Sequence, residues 1–172
     1  MTDFTKPDYL KKGNLRQKRA FEVLKEYKIL EKLREYSPIL AGTIPIEIDI
    51  EGSDLDIICE AKDTIEFEEF LNKTFPGFYM QIEKHKINDI ESLVCNFVLE
   101  GFPIEIFGQN KPTKQQNAYL HMIAEHRILI EKGDNFKQKI TDLKRNGIKT
   151  EPAFGMLLSL ENPYEDLLNF YK

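Results

Sequence analysis

Between Ile39 and Ile58 the chain reads ILAGTIPIEIDIEGSDLDII, and the acid–leucine–acid step Asp54-Leu55-Asp56 within this aliphatic run limits what it can build. In an extended strand alternate side chains share a face, so both carboxylates project the same way. Adjacent carboxylates repel, and burying them is unfavourable. A divalent cation resolves that conflict, and an oxygen-only site shared with substrate phosphates suits Mg²⁺. Upstream, Gly42 lets backbone approach a phosphate closely, and Thr43 adds a hydroxyl. The segment points to a metal–nucleotide site. Taken alone, GSDLD also fits a polar turn whose acids are simply solvated.

The coarse order of elements places this motif. Asn14 is expected to cap a long helix reaching about Tyr36, with Ala20, Val23, Leu24, Tyr27 and Leu30 on one face. Ser37-Pro38 ends it, and Ile39 to Ala41 starts a short strand into Gly42. Ile44, Ile46, Ile48 and Ile50 alternate with Pro45, Glu47 and Asp49, a pattern of strand or extended loop. Leu55 to Glu60 is the motif strand. A helix follows from Thr64 to Phe75, stopped by Pro76-Gly77. Residues 78–86, 91–99 and 102–108 read as strands, with Glu100-Gly101 as a tight hairpin between the last two. Beyond Pro112 the pattern turns helical over about 113–132, 135–146, 152–160 and 163–171, with Thr113 and Gln116 as a capping box and Pro152 and Pro163 in first turns. The expected fold is α+β: a mixed sheet flanked by helices, with an α/β core over about 14–110 and a helical C-terminal part over about 111–172 of a single domain.

A third acid lies in Pro103-Ile104-Glu105-Ile106-Phe107. A carboxylate in an apolar strand needs a partner, and Glu105 shares a cation with Asp54 and Asp56 if its strand neighbours theirs. The alternative is a solvated Glu105 opposite the apolar face of Ile104 and Ile106. From Glu35 to Ala61 there are seven acids and no Lys or Arg, so positive charge for a triphosphate must come from bound metal or from elsewhere in the chain. Glu47, Asp49 and Glu51 are best read as a solvated series. The amide-rich FGQNKPTKQQNAYLHM follows the third acid. Its Gln109, Asn110, Gln116 and Asn117 are candidates for a base, sugar or acceptor, and Lys114 and His121 for phosphate, although capping and solvation also account for them. His121 and His126 are five apart and off one helical stripe, so they make no paired metal ligand. His85 reads as an exposed strand position, and Lys149-Thr150 as a helix start that could line the cleft.

Composition bounds the function classes. With 24 basic and 29 acidic residues among 172 the net charge is −5, which argues against broad nucleic-acid binding by phosphate neutralisation but not against a small nucleotide. Cys59 and Cys95 stand apart in apolar runs, outside any Cys-x-x-Cys pair, and read as buried thiols in a reducing compartment. The N-terminus lacks the apolar stretch of a signal peptide, and no run of about 18 apolar residues occurs, so a cytoplasmic protein without membrane contact is expected.

A glycine with Ser/Thr, roughly ten intervening residues and an acid–hydrophobic–acid strand resembles the signature of the nucleotidyltransferase superfamily, whose fold is like the DNA polymerase beta palm. More narrowly, AGTIPIEIDIEGSDLDI, PIEIFGQ and QQNAYLHM resemble a bacterial family catalogued only as a domain of unknown function. The superfamily likeness implies that Asp54 and Asp56 hold Mg²⁺ on a nucleoside triphosphate, with Glu105 as third ligand or general base. It implies that Gly42, Thr43 and Ser53 grip phosphates, and that a nucleoside monophosphate passes to a hydroxyl of some acceptor. A catalytically inactive nucleotide-binding or protein-interaction module on the same fold is the alternative, and the oligomeric state is left open.

Overall fold

The computed structural model describes residues 2–87 and 89–171. Five strands form one mixed sheet in the order β1-β2-β5-β4-β3: β1 Ile39–Ala41, β2 Leu55–Glu60, β3 Gln81–Ile87, β4 Ile90–Leu99 and β5 Phe102–Gln109. Among the described residues only the β2–β5 pairing is parallel. β2 alternates between two cores: Leu55, Ile57 and Cys59 join the cluster under α1 (Leu15–Glu26) and α3 (Thr64–Thr74), whereas Ile58 joins the cluster under the C-terminal helices. Those helices are α4 (Asn117–Lys132), α5 (Asp134–Arg145), α6 (Thr150–Leu158) and the short α7 (Pro163–Asp166). This is the expected α+β sheet flanked by helices. Among the described residues no helix is long and apolar enough to cross a membrane.

Local chemistry accounts for most boundaries. Asn14 accepts from the Gln17 amide, and the Gln17 side chain accepts from the Asn14 amide, a reciprocal capping box. Asp63 caps α3 by accepting from the amides of Ile65 and Glu66. Leu99 pairs with Phe102 across Glu100 and Gly101, both at positive φ (50° and 80°), which is the backbone a two-residue hairpin needs.

Two expectations are corrected and one open alternative is decided. The first helix does not run to Tyr36: it ends at Glu26, Lys28 turns left-handed (φ 54°), and α2 (Ile29–Lys32) follows as a separate turn of helix. A straight helix would set Ile29 and Leu33 opposite Ala20, whereas the break buries both fully. Of the two readings open for residues 44–50, strand or extended loop, the structure has a loop. Glu47 sits at φ 59°, and the loop threads between the two cores, with Ile44 in one and Ile46 and Ile48 in the other. Its carbonyls, lacking a ladder, are satisfied by side chains: Gln17 donates to the oxygens of Ile44 and Pro45, and Lys144 to that of Ile48. Thr113 and Gln116 form no capping box, since the Gln116 amide donates to the oxygens of Cys59 and Lys111 and so ties the end of β2 to the turn before α4.

Candidate functional site

The sheet register brings the three sequence-predicted acids together. Asp56 pairs with Glu105 across the parallel β2–β5 ladder, so the two side chains share a face. Asp54 stands one residue before β2 and acts electrostatically on both. On the other side of β2, Ala41 pairs with Asp56 and delivers Gly42 against it. Gly42 has φ 77°, and a Cβ there would lie 1.8 Å from Asp56 Oδ2. Only glycine fits this left-handed backbone in contact with the carboxylate.

These groups open onto a cleft of about 810 Å³ between the sheet, the turn at residues 50–53 and the helical C-terminal part. Gly42, Thr43, Ser53, Asp54, Asp56, Glu105, Gln109 and His121 all line it. Ser53 Oγ accepts from the Ile50 amide (2.9 Å) and Arg16 donates to the Ser53 carbonyl (2.8 Å), which fixes the turn in front of Asp54. Arg16 also pairs with Asp49 at 3.1 Å. Gln109 is spent within the sheet, donating to Ser92 Oγ. His121 Nε2 donates to the Tyr164 carbonyl at 2.8 Å, and its Nδ1 lies 3.5 Å from Glu151 Oε1. Lys114 does not line the cleft. It is exposed on the turn at Thr113–Gln115, close enough to act on Asp3, and Lys111 stands at the rim instead. Of the other amides, Gln116 and Asn117 line the cleft and Asn110 does not. His85 is exposed on β3, and His126 packs against Phe4.

The far wall holds residues that sequence reasoning missed: Glu125, Lys144 and Glu151, joined by the Lys149-Thr150 pair at the start of α6. Glu125 follows His121 by four, one turn along the same face of α4, and that spacing was a usable signal. Nothing local marked Lys144. It is 8% exposed, donates to the Ile48 carbonyl at 2.8 Å and acts on Asp49, Asp56, Glu125 and Glu151. Lys144 is the buried cation that the acid-rich segment lacked.

Burial, then repulsion from Asp54 and Glu105, raises the Asp56 carboxyl well above its ordinary range, with Lys144 opposing. Burial and Asp54 raise Glu105 likewise. Burial and Glu151 push Glu125 up to about 8. Burial also lowers the Lys144 ammonium. For Glu151 burial is the largest single influence and acts upward, but the His121 hydrogen bond, a backbone hydrogen bond and the charges of His121 and Lys144 together outweigh it, and the carboxyl falls below its usual value. The cleft thus carries compressed negative charge along its sheet wall.

The donor set is of the chemical kind that Mg²⁺ takes. It is oxygen-only, its repulsion is relieved by a cation, and the Gly42 contact keeps backbone tight against Asp56. Among the described residues no group of three or more His, Cys, Asp or Glu side chains is placed to hold a metal ion. Mg²⁺ does not require one, because it is commonly held by one or two carboxylates with waters and substrate phosphates.

A family model described as "Domain of unknown function (DUF4269)" matches residues 22–170, a span that contains every cleft residue named above. The chain belongs to this family. No curated protein matches its sequence. Among solved structures, that of a cytoplasmic RNA terminal U-transferase superposes with a TM-score of 0.52 and 13% identity, over 88% of this chain and 50% of that one. At that identity the likeness establishes the fold, a nucleotidyltransferase-like sheet with flanking helices. This chain spans about half the length of that structure.

Proposed function

We propose that the cleft transfers a nucleoside monophosphate from a nucleoside triphosphate to a hydroxyl of an acceptor. The observation that carries this reading is the register of Asp56 with Glu105, with Asp54 beside them and Gly42 closed against Asp56. Asp54 and Asp56, with Glu105, would hold a divalent cation, expected to be Mg²⁺, which when bound neutralises charge on the phosphates.

The remaining roles fall to the chain's own groups. Backbone N–H groups at Gly42 and Thr43 and the Thr43 hydroxyl grip the outer phosphates. Lys144 and Lys149 supply positive charge from the opposite wall. The acceptor oxygen attacks the α-phosphorus, the bond to the bridging oxygen breaks, and pyrophosphate leaves with the electron pair. Glu105 takes the hydroxyl proton or completes the cation's ligand set. Its raised pKa brings it closer to the range of a useful base.

The test is pyrophosphate release by purified protein with Mg²⁺ and each nucleoside triphosphate. Asp54→Asn and Asp56→Asn are expected to abolish release while keeping a cooperative melt, and full activity in either variant overturns the mechanism. A second reading is a module that binds nucleotide or protein without turnover. That no three acidic or metal-binding side chains among the described residues are placed to hold a metal ion favours it. Calorimetric binding of a Mg²⁺–triphosphate without product formation would select it.

A further inference from the structure

The sheet face that carries the acids continues past them, uncovered, over β5, β4 and β3. Register fixes which side chains follow. Glu105 pairs with Asn96 and Asn96 with Gln81, so Asp56, Glu105, Asn96 and Gln81 form one row across four strands. Beside it, Pro103 pairs with Val98, and Tyr79 closes the same end. Together Tyr79, Gln81, Asn96, Val98 and Pro103 line a shallow groove of about 290 Å³. Tyr79 is 86% exposed and Val98 70%. The side-chain amides of Gln81 and Asn96 make no hydrogen bond to other described residues, so their donors and acceptors are unspent.

We infer that this lane seats the acceptor, and that the acceptor is an extended polypeptide segment presenting a Ser, Thr or Tyr hydroxyl. The inference rests on the nucleotidyl-transfer reading above. Attacking and leaving oxygens stand roughly in line across the transferred phosphorus. The phosphate-gripping turn at Gly42 lies on the β1 side of the acids, which puts the incoming hydroxyl on the β5 side, where the lane begins.

The chemistry of the lane selects the occupant. None of the residues lining it is Lys or Arg, and of its two aromatic rings Phe97 is buried, which leaves Tyr79 as the exposed one. A nucleic-acid strand needs cations for its phosphates and stacking platforms for its bases. Free Asn and Gln amides offer a donor and an acceptor each, the complement of a peptide N–H and C=O. The apolar row of Tyr79, Val98 and Pro103 covers side chains. Two strand spacings from β5 to β3 make the lane roughly 10 Å long, about three residues of extended chain. In the step itself the side-chain oxygen bonds to the α-phosphorus, its proton passes to Glu105, and pyrophosphate departs, leaving a nucleotidylated peptide.

The experiment uses the full chain with Mg²⁺ and α-labelled nucleoside triphosphates, offered a pool of short Ser-, Thr- and Tyr-containing peptides or a single-stranded oligoribonucleotide. The peptides are expected to gain label and the oligoribonucleotide to stay unextended. Val98→Arg, on an exposed site, should raise KM for the peptides by about tenfold with a far smaller change in kcat. Anisotropy of fluorescent peptides on protein loaded with a non-hydrolysable triphosphate should show the same loss of binding. Asn96→Ala serves as a second variant, with melting checked for both. Extension of the oligoribonucleotide, unlabelled peptides, or peptide kinetics indifferent to both substitutions overturns the acceptor assignment. If triphosphate binding and its dependence on Asp56 persist in that case, nucleotidyl transfer itself survives. If they are absent as well, the underlying reading has failed.

Discussion

Gly42→Ala tests whether the turn and the acid are built as one unit. Two costs add. Alanine at φ 77° carries the left-handed penalty of about 1–2 kcal/mol. The new Cβ also falls 1.8 Å from Asp56 Oδ2 and 2.8 Å from its Cγ, so the side chain must swing away or the Ala41–Asp56 pairing must open. Overpacking of that kind costs about 1–3 kcal/mol. Gly52→Ala is the control, since Gly52 has φ 84° and a Cβ added there would meet nothing within 4 Å, leaving only the backbone cost. Urea denaturation without metal should therefore separate the two variants by about 1–3 kcal/mol. In an Asp56→Ala background the Oδ2 and Cγ contacts vanish, and the Gly42→Ala cost should fall to that of Gly52→Ala. Equal destabilisation by the two single substitutions, within about 0.5 kcal/mol, would refute the coupling.

Further expectations concern the far wall and the core. Glu125 has its pKa raised from 4.5 to about 8, so its contribution to stability is full below about pH 4.5 and is lost as pH rises through about 8. Metal-free protein should melt lower as pH climbs through that window, and Glu125→Gln should flatten the profile and stabilise above it. Lys144→Met should weaken Mg²⁺–triphosphate binding about tenfold or more by calorimetry. The same change leaves the Ile48 carbonyl unpaired, at about 1–3 kcal/mol in denaturation. Gly108→Ala puts a Cβ 2.3 Å from Cε1 of the fully buried Phe67, and a loss of about 1–3 kcal/mol is expected in the same assay.

Much of the fold was legible because its signals are local. The β2 bounds, the Asn14 cap, the hairpin at Glu100-Gly101 and the helical C-terminal part follow from alternation, caps and turn residues read in place. The break at Lys28 was not, since the pull on Ile29 and Leu33 comes from a core assembled by distant strands. For the isoleucines of residues 44–48 strand and extended loop stayed open because alternation does not say that two different cores receive them. At the site, Asp54, Asp56 and Glu105 were readable as carboxylates stranded among aliphatics. Lys144 was not, because on α5 it is one of several lysines and only tertiary packing sets it near Asp56. Lys114 shows the converse: adjacency in sequence to the third acid's strand did not place it in the cleft.

Nucleotidyl transfer in this cleft requires that Asp54 and Asp56 hold a cation on a bound triphosphate, with Glu105 beside it as base or further ligand. A crystal soaked with Mn²⁺ and a non-hydrolysable triphosphate tests it most directly through anomalous scattering. The expected map has a peak between Asp54 and Asp56, within reach of Glu105, with the outer phosphates at Gly42 and Thr43. A nucleotide seated elsewhere, or a cleft whose three carboxylates contact no ion while nucleotide is bound, would contradict it.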